Sequence, residues 1–262
     1  MARSKALLNV LNMVNENIAV EQQFLNDLKY SIEKCEEDNK RVPSQTYKPS
    51  SLHCIRNMYY QVTGAEASSE ERASSELIGI CESGTDRHNR LQQAIMRMRE
   101  NNIDCEYIDV AKFVNARGFE SVKVVDTCGN ETKLFNTKLN MSFLCDGIIR
   151  YKDKYYILEI KTESSSKFWN RQSVNPDHVL QGTAYSINFE LDDVIFLYEC
   201  RDNCSKKCYM LHITDEMRKG LIDKIKECDE CVANNTVPAI PQNVGKNTCA
   251  YCNYSLRCKI DG

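Results

Sequence analysis

Residues 140–162, Asn-Met-Ser-Phe-Leu-Cys-Asp-Gly-Ile-Ile-Arg-Tyr-Lys-Asp-Lys-Tyr-Tyr-Ile-Leu-Glu-Ile-Lys-Thr, constrain the fold more than any other stretch. Apolar and β-branched residues flank a short charged break at Lys152-Asp153-Lys154, which predicts two β-strands joined by a tight turn. Side chains alternate along a strand, so Glu159 and Lys161 leave the second strand on one face. Pairing of the two strands brings Asp146 close to them. Two carboxylates with an ammonium beside them can hold a hard divalent cation and position a water, which is the equipment of phosphodiester hydrolysis.

Composition limits the alternatives. A chain of 262 residues can bury a proper core, as one domain with appendages. A composition of 27% charged and 42% hydrophobic residues argues against wholesale disorder. The net charge of −3 weighs slightly against a nucleic-acid binder, although phosphate contacts depend on where Lys and Arg lie. No stretch has the apolar length of a membrane span, and Asn9 and Asn12 interrupt the faintly signal-like N-terminus. The chain therefore reads as cytoplasmic, from a bacterial, archaeal or phage-infected cell, with no membrane partner. Fourteen cysteines in that compartment point to metal or cluster ligation and away from a disulfide scaffold.

Leu7, Leu11, Val14, Ile18, Leu25, Leu28 and Ile32 follow heptad spacing, interrupted by Glu21 and extended by Cys35. They predict a long helix from Lys5 to Asp38. That helix is either a coiled coil, for a homo-oligomer or a protein partner, or an amphipathic helix lying on its own domain. Residues 1–40 are thus a helical appendage, 41–50, with Pro43 and Pro49, a linker, and 51–262 the main domain.

Within that domain a helix beginning at Ser51 carries Cys54 and Arg56, and a second, Leu77 to Glu100, carries His88. A short helix is expected between Ile108 and Arg117, then a hairpin of Ser121–Val125 and Glu131–Phe135. Residues 164–171 form a loop interleaving basic and aromatic side chains. There Trp169 can stack a base while Lys167 and Arg171 hold phosphates, or Trp169 can simply anchor the loop. Helix Asp177–Asn188 places Gln181 and Tyr185 one turn apart. Strands Val194–Glu199 and Cys208–Ile213 and helix Asp215–Asn234 lead to an extended tail.

The tail holds Cys249-x-x-Cys252 and Cys258. Zinc wants a fourth ligand nearby, and none follows. A cubane iron–sulfur cluster takes four thiolates, and Cys54 is the candidate that completes the set. Such a link would tie the start of the domain to its end. Zinc remains the alternative at the same cysteines.

Taken in order, Cys54-x-Arg56, Gly84-x-x-x-His88, Asp146, Glu159-Ile-Lys161, Gln181-x-x-x-Tyr185 and Cys249-x-x-Cys252-x5-Cys258 resemble the RecB-like branch of the PD-(D/E)xK nucleases. More narrowly, they resemble its iron–sulfur subgroup, which includes CRISPR-associated exonucleases and the AddB nuclease domain. The likeness spans Ser51 to Cys258. Cys145 stands where the superfamily's naming proline would be, and Phe143 where relatives often carry a small residue. Neither change removes a chemical group.

The resemblance implies a restriction-endonuclease-like α/β fold, a mixed sheet flanked by helices, and Mg²⁺- or Mn²⁺-dependent hydrolysis of DNA. It implies that Asp146, Glu159, the Ile160 carbonyl and His88 bind the cation. Lys161 would orient the water, Gln181 and Tyr185 would contact the strand, and Arg56, Lys167, Trp169 and Arg171 would bind DNA. A [4Fe–4S] cluster on Cys54, Cys249, Cys252 and Cys258 would be structural. No Gly-x4-Gly-Lys-Ser/Thr loop occurs, so an exonuclease without a motor of its own is expected. The competing expectation is a zinc- or cluster-stabilised DNA-binding module without catalysis.

Overall fold

The computed structural model describes residues 20–35, 44–67, 74–128, 131–242, 248–249 and 252–262. The chain divides into two compact units, Met1–Val42 with Ser69–Ser83, and Pro43–Ser68 with Gly84–Gly262.

In the smaller unit, α1 (residues 20–35) shows part of the expected heptad helix; residues 5–19 and 36–38 of that helix lie outside the described ones. Val20, Phe24, Leu25, Leu28 and Tyr30 are exposed on it. Lys29 pairs with Glu76 at 2.7 Å, and Glu33 accepts from the Ser75 N–H at 3.1 Å.

The larger unit begins inside the segment expected to be a linker. Tyr47 is 1% exposed, bridges to Met141 and donates to Asp229 at 2.6 Å, so this segment belongs to the core from Thr46 onward. Then follow α2 (Ile55–Val62), and α3 (Ser75–Met96), which enters this unit from Gly84. Next come β1 (Cys105–Ile108), α4 (Val110–Arg117), β2 (Val122–Cys128), β3 (Glu131–Asn136), β4 (Met141–Cys145), β5 (Gly147–Tyr151) and β6 (Lys154–Glu163). The chain continues through α5 (Ser165–Asn170), α6 (Pro176–Phe189), β7 (Asp193–Cys200), β8 (Lys206–His212), α7 (Asp215–Ala233) and α8 (Ser255–Ile260).

Five strands form a sheet in the order β1-β5-β6-β7-β8, and β2-β3-β4 form a smaller antiparallel one. Only β6 and β7 pair in parallel, which makes the five-stranded sheet mixed, as expected. A parallel pair needs a crossover, and α5 with α6 supplies it. The β5–β6 turn is Lys152-Asp153, both at positive φ, as a two-residue hairpin turn requires.

Strand β6 sits mid-sheet with both faces covered. Ile157 packs into the core that also holds Phe189 and Phe196, whereas Leu158 and Ile160 pack with Leu91 and Cys105. The alternation therefore turns Ile157, Glu159 and Lys161 to one side and Leu158 and Ile160 to the other. No helix among the described residues is long and apolar enough to cross a membrane.

Three local expectations are corrected. The stretch 140–162 is three strands and not two, because Asp146 breaks it between β4 and β5. Residues 165–170, expected as loop, are helical and seat Phe168 in the core. The cysteine-bearing tail also ends in a helix, α8.

Candidate active site

The site forms where the two sheets part. β4 pairs with β3 and β5 with β6, so Asp146 is the single residue between a strand of one sheet and a strand of the other. Beyond Gly147↔Leu158 the β5–β6 ladder has no further strand to pair with Ile160. The Asp146 carboxylate takes that place, accepting the Ile160 N–H at Oδ2 over 2.6 Å. Its Oδ1 lies 3.1 Å from His88 Nδ1. The Asp146 carbonyl accepts from Gln92 at 2.7 Å and from the Tyr107 hydroxyl at 2.6 Å. His88 and Gln92, four apart on α3, thus grip the same residue from one helix face. Gly147 is needed beside it, because a Cβ there would lie 2.7 Å from the Tyr107 ring.

Glu159 is 2% exposed, and one of its oxygens, Oε2, is buried without a hydrogen-bond partner. The other lies 2.5 Å from Lys161 Nζ. Burial pushes the Glu159 carboxyl up to about 7, against the opposing pull of Lys161. A buried carboxylate oxygen with no donor is costly unless a cation stands beside it, so the donor set fits a hard divalent ion.

α6 carries the next layer. Lys161 donates to Gln181 Oε1 at 2.9 Å, Gln181 donates to the Tyr185 hydroxyl at 2.8 Å, and that hydroxyl donates to the Leu144 carbonyl at 2.7 Å. Gly182 lets the helix lie on β7 here, since a Cβ would come within 2.8 Å of the Phe196 ring.

Glu131 was not singled out by sequence reasoning. The pair Thr132↔Cys145 in the β3–β4 ladder sets Glu131 opposite Asp146. Ligand atoms of His88, Glu131 and Asp146 all lie within 4.8 Å of one another, a group that could hold a metal ion. Burial raises the Glu131 carboxyl, and the Asp146 charge adds to the rise. At His88, burial pushes the imidazolium down, but the Asp146 hydrogen bond and the charges of Asp146 and Glu159 outweigh it, so its pKa is raised. Of the expected ligands His88, Asp146, Glu159 and the Ile160 carbonyl, the first two fall in this group with Glu131, and Glu159 is held by Lys161. Ile160 enters through its N–H. The only signal for Glu131 was the β3–β4 register.

Around this centre, Trp169 is 56% exposed on α5 while its neighbour Phe168 does the anchoring. Lys167 lines the adjoining cleft. Arg171 is already engaged, clamping Glu163 and lying 4.5 Å over the Tyr198 ring. Arg56, expected at DNA, is 2% exposed and donates to the Asp261 carbonyl at 2.9 Å. It belongs to the closure between α2 and α8 and not to a DNA-facing surface.

Of the four cysteines expected to hold a cluster, three lie at α2 and the tail. Cys54 caps α2, Cys258 lies in α8, and Cys252 accepts from Asn57 at 3.5 Å. Burial pushes the Cys252 thiol up, and Cys54 and Cys258 lie near enough to push it further. Three thiols of the expected four therefore share one neighbourhood, and Cys249 is exposed. The set is soft and suits iron or zinc. Tyr60 donates to Asp261 at 2.8 Å and packs 5.5 Å from Tyr254, tying α2 to the tail independently of any ligand.

No protein-family profile matches the chain, and no curated protein does. Among solved structures, SSO0001 is 17% identical with a TM-score of 0.49, covering 91% of this chain and 98% of that one. The alkaline exonuclease LHK-Exo from Laribacter hongkongensis is 11% identical with a TM-score of 0.42, covering 74% and 90%. Its complex with dAMP matches with the same values. The functional reading rests on the site's own geometry.

Proposed function

We propose that the protein is a divalent-cation-dependent deoxyribonuclease of the RecB-like PD-(D/E)xK kind, an exonuclease working on single strands or DNA ends. The observation that carries this reading is the convergence of His88, Glu131 and Asp146 within 4.8 Å, beside a buried Glu159 that is paired to Lys161 on one oxygen only. Motif order along the chain supports it, and the steps it serves are recombination, replication and repair, or CRISPR adaptation.

His88, Glu131, Asp146 and Glu159 would hold Mg²⁺ or Mn²⁺; carboxylates suit either, and one imidazole favours Mn²⁺. Such an ion, when bound, lowers the pKa of a water and polarises a phosphoryl oxygen. Lys161, with three N–H donors, orients the nucleophile and meets charge developing on the phosphate. Gln181 fixes where that ammonium points, and Tyr185 fixes Gln181. Asp146 is held at both its carboxylate and its carbonyl, so the centre is set before substrate arrives. Cys54, Cys249, Cys252 and Cys258 would hold a [4Fe–4S] cluster, which fastens the tail to α2 and leaves the chemistry to the other centre.

The test is digestion of end-labelled single- and double-stranded DNA with Mg²⁺, Mn²⁺ or chelator. Labelled fragments should shorten from an end, only with the cation, and not with Asp146→Ala or Lys161→Ala. Equal activity in either variant overturns the mechanism. Iron and acid-labile sulfide in anaerobically purified protein test the cluster; a colourless protein with stoichiometric zinc overturns it.

A further inference from the structure

A cleft of about 670 Å³ adjoins the candidate active site and is lined by Lys161, Lys167, Arg171, Arg201 and His178, with Glu163 as its one carboxylate. Arg171 neutralises Glu163. Lys161 is shared with Glu159 and Gln181. The Lys167 and Arg201 side chains have no ion-pair or hydrogen-bond partner among the described residues, and Asp202, whose carboxyl the Arg201 charge helps to hold low, is not among the residues that line the cleft, so the cleft keeps two unpaired cations. Arg201 is also fixed in place: its carbonyl accepts from Arg87 at 2.8 Å, and its N–H donates to Glu163 O at 2.7 Å.

His178 adds a donor of another kind. The buried Tyr198 hydroxyl accepts the Asn175 N–H at 3.3 Å and lies 2.8 Å from His178 Nδ1. That hydroxyl has no other acceptor among the described residues, so its proton goes to Nδ1, and the ring proton sits on Nε2. Burial, then the charges of Lys161 and Arg171, hold the imidazole down to about 3, which keeps the ring neutral. It is rigid as well, stacked on Tyr198 with ring centroids 5.7 Å apart. Unpaired cations, a neutral N–H donor and an open, polar cleft are what phosphate oxyanions bind, and an apolar ligand would find little here.

We propose that this cleft is a phosphate subsite of the same centre, taking a phosphoryl group of the nucleic-acid strand that runs past Lys161, with Arg201 and Lys167 as its cations and the His178 Nε2–H as its neutral donor. The proposal deepens the nuclease reading by assigning Arg201 and His178 as positioning residues. The phosphoryl group is either an internal phosphodiester or a strand-terminal phosphate.

The experiment measures binding without cleavage. Internally labelled oligothymidylates ending in a 5′-phosphate, a 3′-phosphate or hydroxyls alone are titrated with full-length protein by fluorescence anisotropy, divalent cations withheld, over a range of salt. Arg201→Ala and Lys167→Ala should each weaken binding about tenfold and flatten the log–log salt dependence by about 0.7, the value for one single-strand phosphate contact. His178→Phe should weaken binding, and His178→Gln, which keeps an N–H donor, should restore most of it. Equal loss on all three strands identifies an internal phosphodiester, and loss confined to one phosphorylated end identifies a terminal phosphate. Unchanged affinity and unchanged salt slope in Arg201→Ala and Lys167→Ala overturn the proposal. Binding that behaves as expected in a protein that cuts nothing would leave the subsite standing and remove the nuclease reading.

Discussion

Two glutamates on neighbouring strands show how differently this molecule treats the same side chain. Glu159 on β6 and Glu199 on β7 are 2% and 0% exposed. Glu199 is met by Arg87 at 3.0 Å, Arg90 at 2.5 Å and Lys206 at 3.4 Å. Burial pushes its carboxyl up, but hydrogen bonds from Arg90 and Arg87 outweigh that and hold its pKa low. Both glutamates bury an Oε2 without a hydrogen-bond partner, but Lys206 stands 3.4 Å from that of Glu199, whereas the one lysine at Glu159 pairs with its other oxygen. The Glu159 carboxyl is pushed up to about 7. Three cations stand around one carboxylate, and a single lysine stands beside the other. Equal burial with opposite compensation separates a structural charge from a functional one.

The comparison can be broken or sharpened by substitution. The largest effect belongs to the functional side: Asp146→Ala should lower the cation-dependent cleavage rate by about 10³-fold or more, since it removes a ligand shared with His88 and the Ile160 N–H. Lys161→Ala should cost about 10²- to 10³-fold in kcat with a smaller change in KM, because its donors act on charge that develops in the transition state. Glu131→Gln, which keeps the shape of the side chain, should weaken cation affinity by about 10- to 100-fold, read as a rise in the Mn²⁺ concentration for half-maximal rate.

Stability effects are smaller and should have opposite signs. Glu199→Gln leaves its cations without their anion and should cost about 1–3 kcal/mol in denaturant unfolding, reduced from a fully buried pair because Arg90 and Lys206 are half exposed. Its native pKa lies below the ordinary 4.5, so its contribution is present above that pH and is lost as pH falls below it. Glu159 behaves the other way. Between the ordinary 4.5 and about 7 the folded state holds a proton that the unfolded chain has lost, so stability declines as pH rises through that window. Cation-free Glu159→Gln should therefore melt higher than the parent at pH 8 and no higher at pH 4. A parent protein with no such decline would mean that Glu159 is compensated as fully as Glu199.

Sequence reasoning reached the parts of the site set by local spacing. Glu159 and Lys161, two apart on a strand, and Gln181 and Tyr185, four apart on a helix, share faces by backbone geometry alone, and Lys161 and Gln181 do meet. The mixed α/β class was legible for the same reason. Glu131 was not, because its place opposite Asp146 depends on the β3–β4 register, which no residue of the hairpin advertises. Nor was the break at Asp146, where Phe143, Leu144 and Cys145 read continuously into Gly147 and Ile148 as one strand. Strand β1 is only Cys105–Ile108 and is defined by pairing with β5, so it carries no periodicity to read. Arg56 was misplaced because a Cys-x-Arg pattern does not say which way the guanidinium turns, and here it turns toward Asp261.

A titration of Mn²⁺ followed by electron paramagnetic resonance tests the central claim most directly. The parent protein and Glu199→Gln should each show a strong site that Asp146→Ala lacks and Glu131→Gln weakens. A strong site that persists unchanged in Asp146→Ala, or that disappears in Glu199→Gln while the protein stays folded, would contradict the assignment of the cation to the junction between the two sheets.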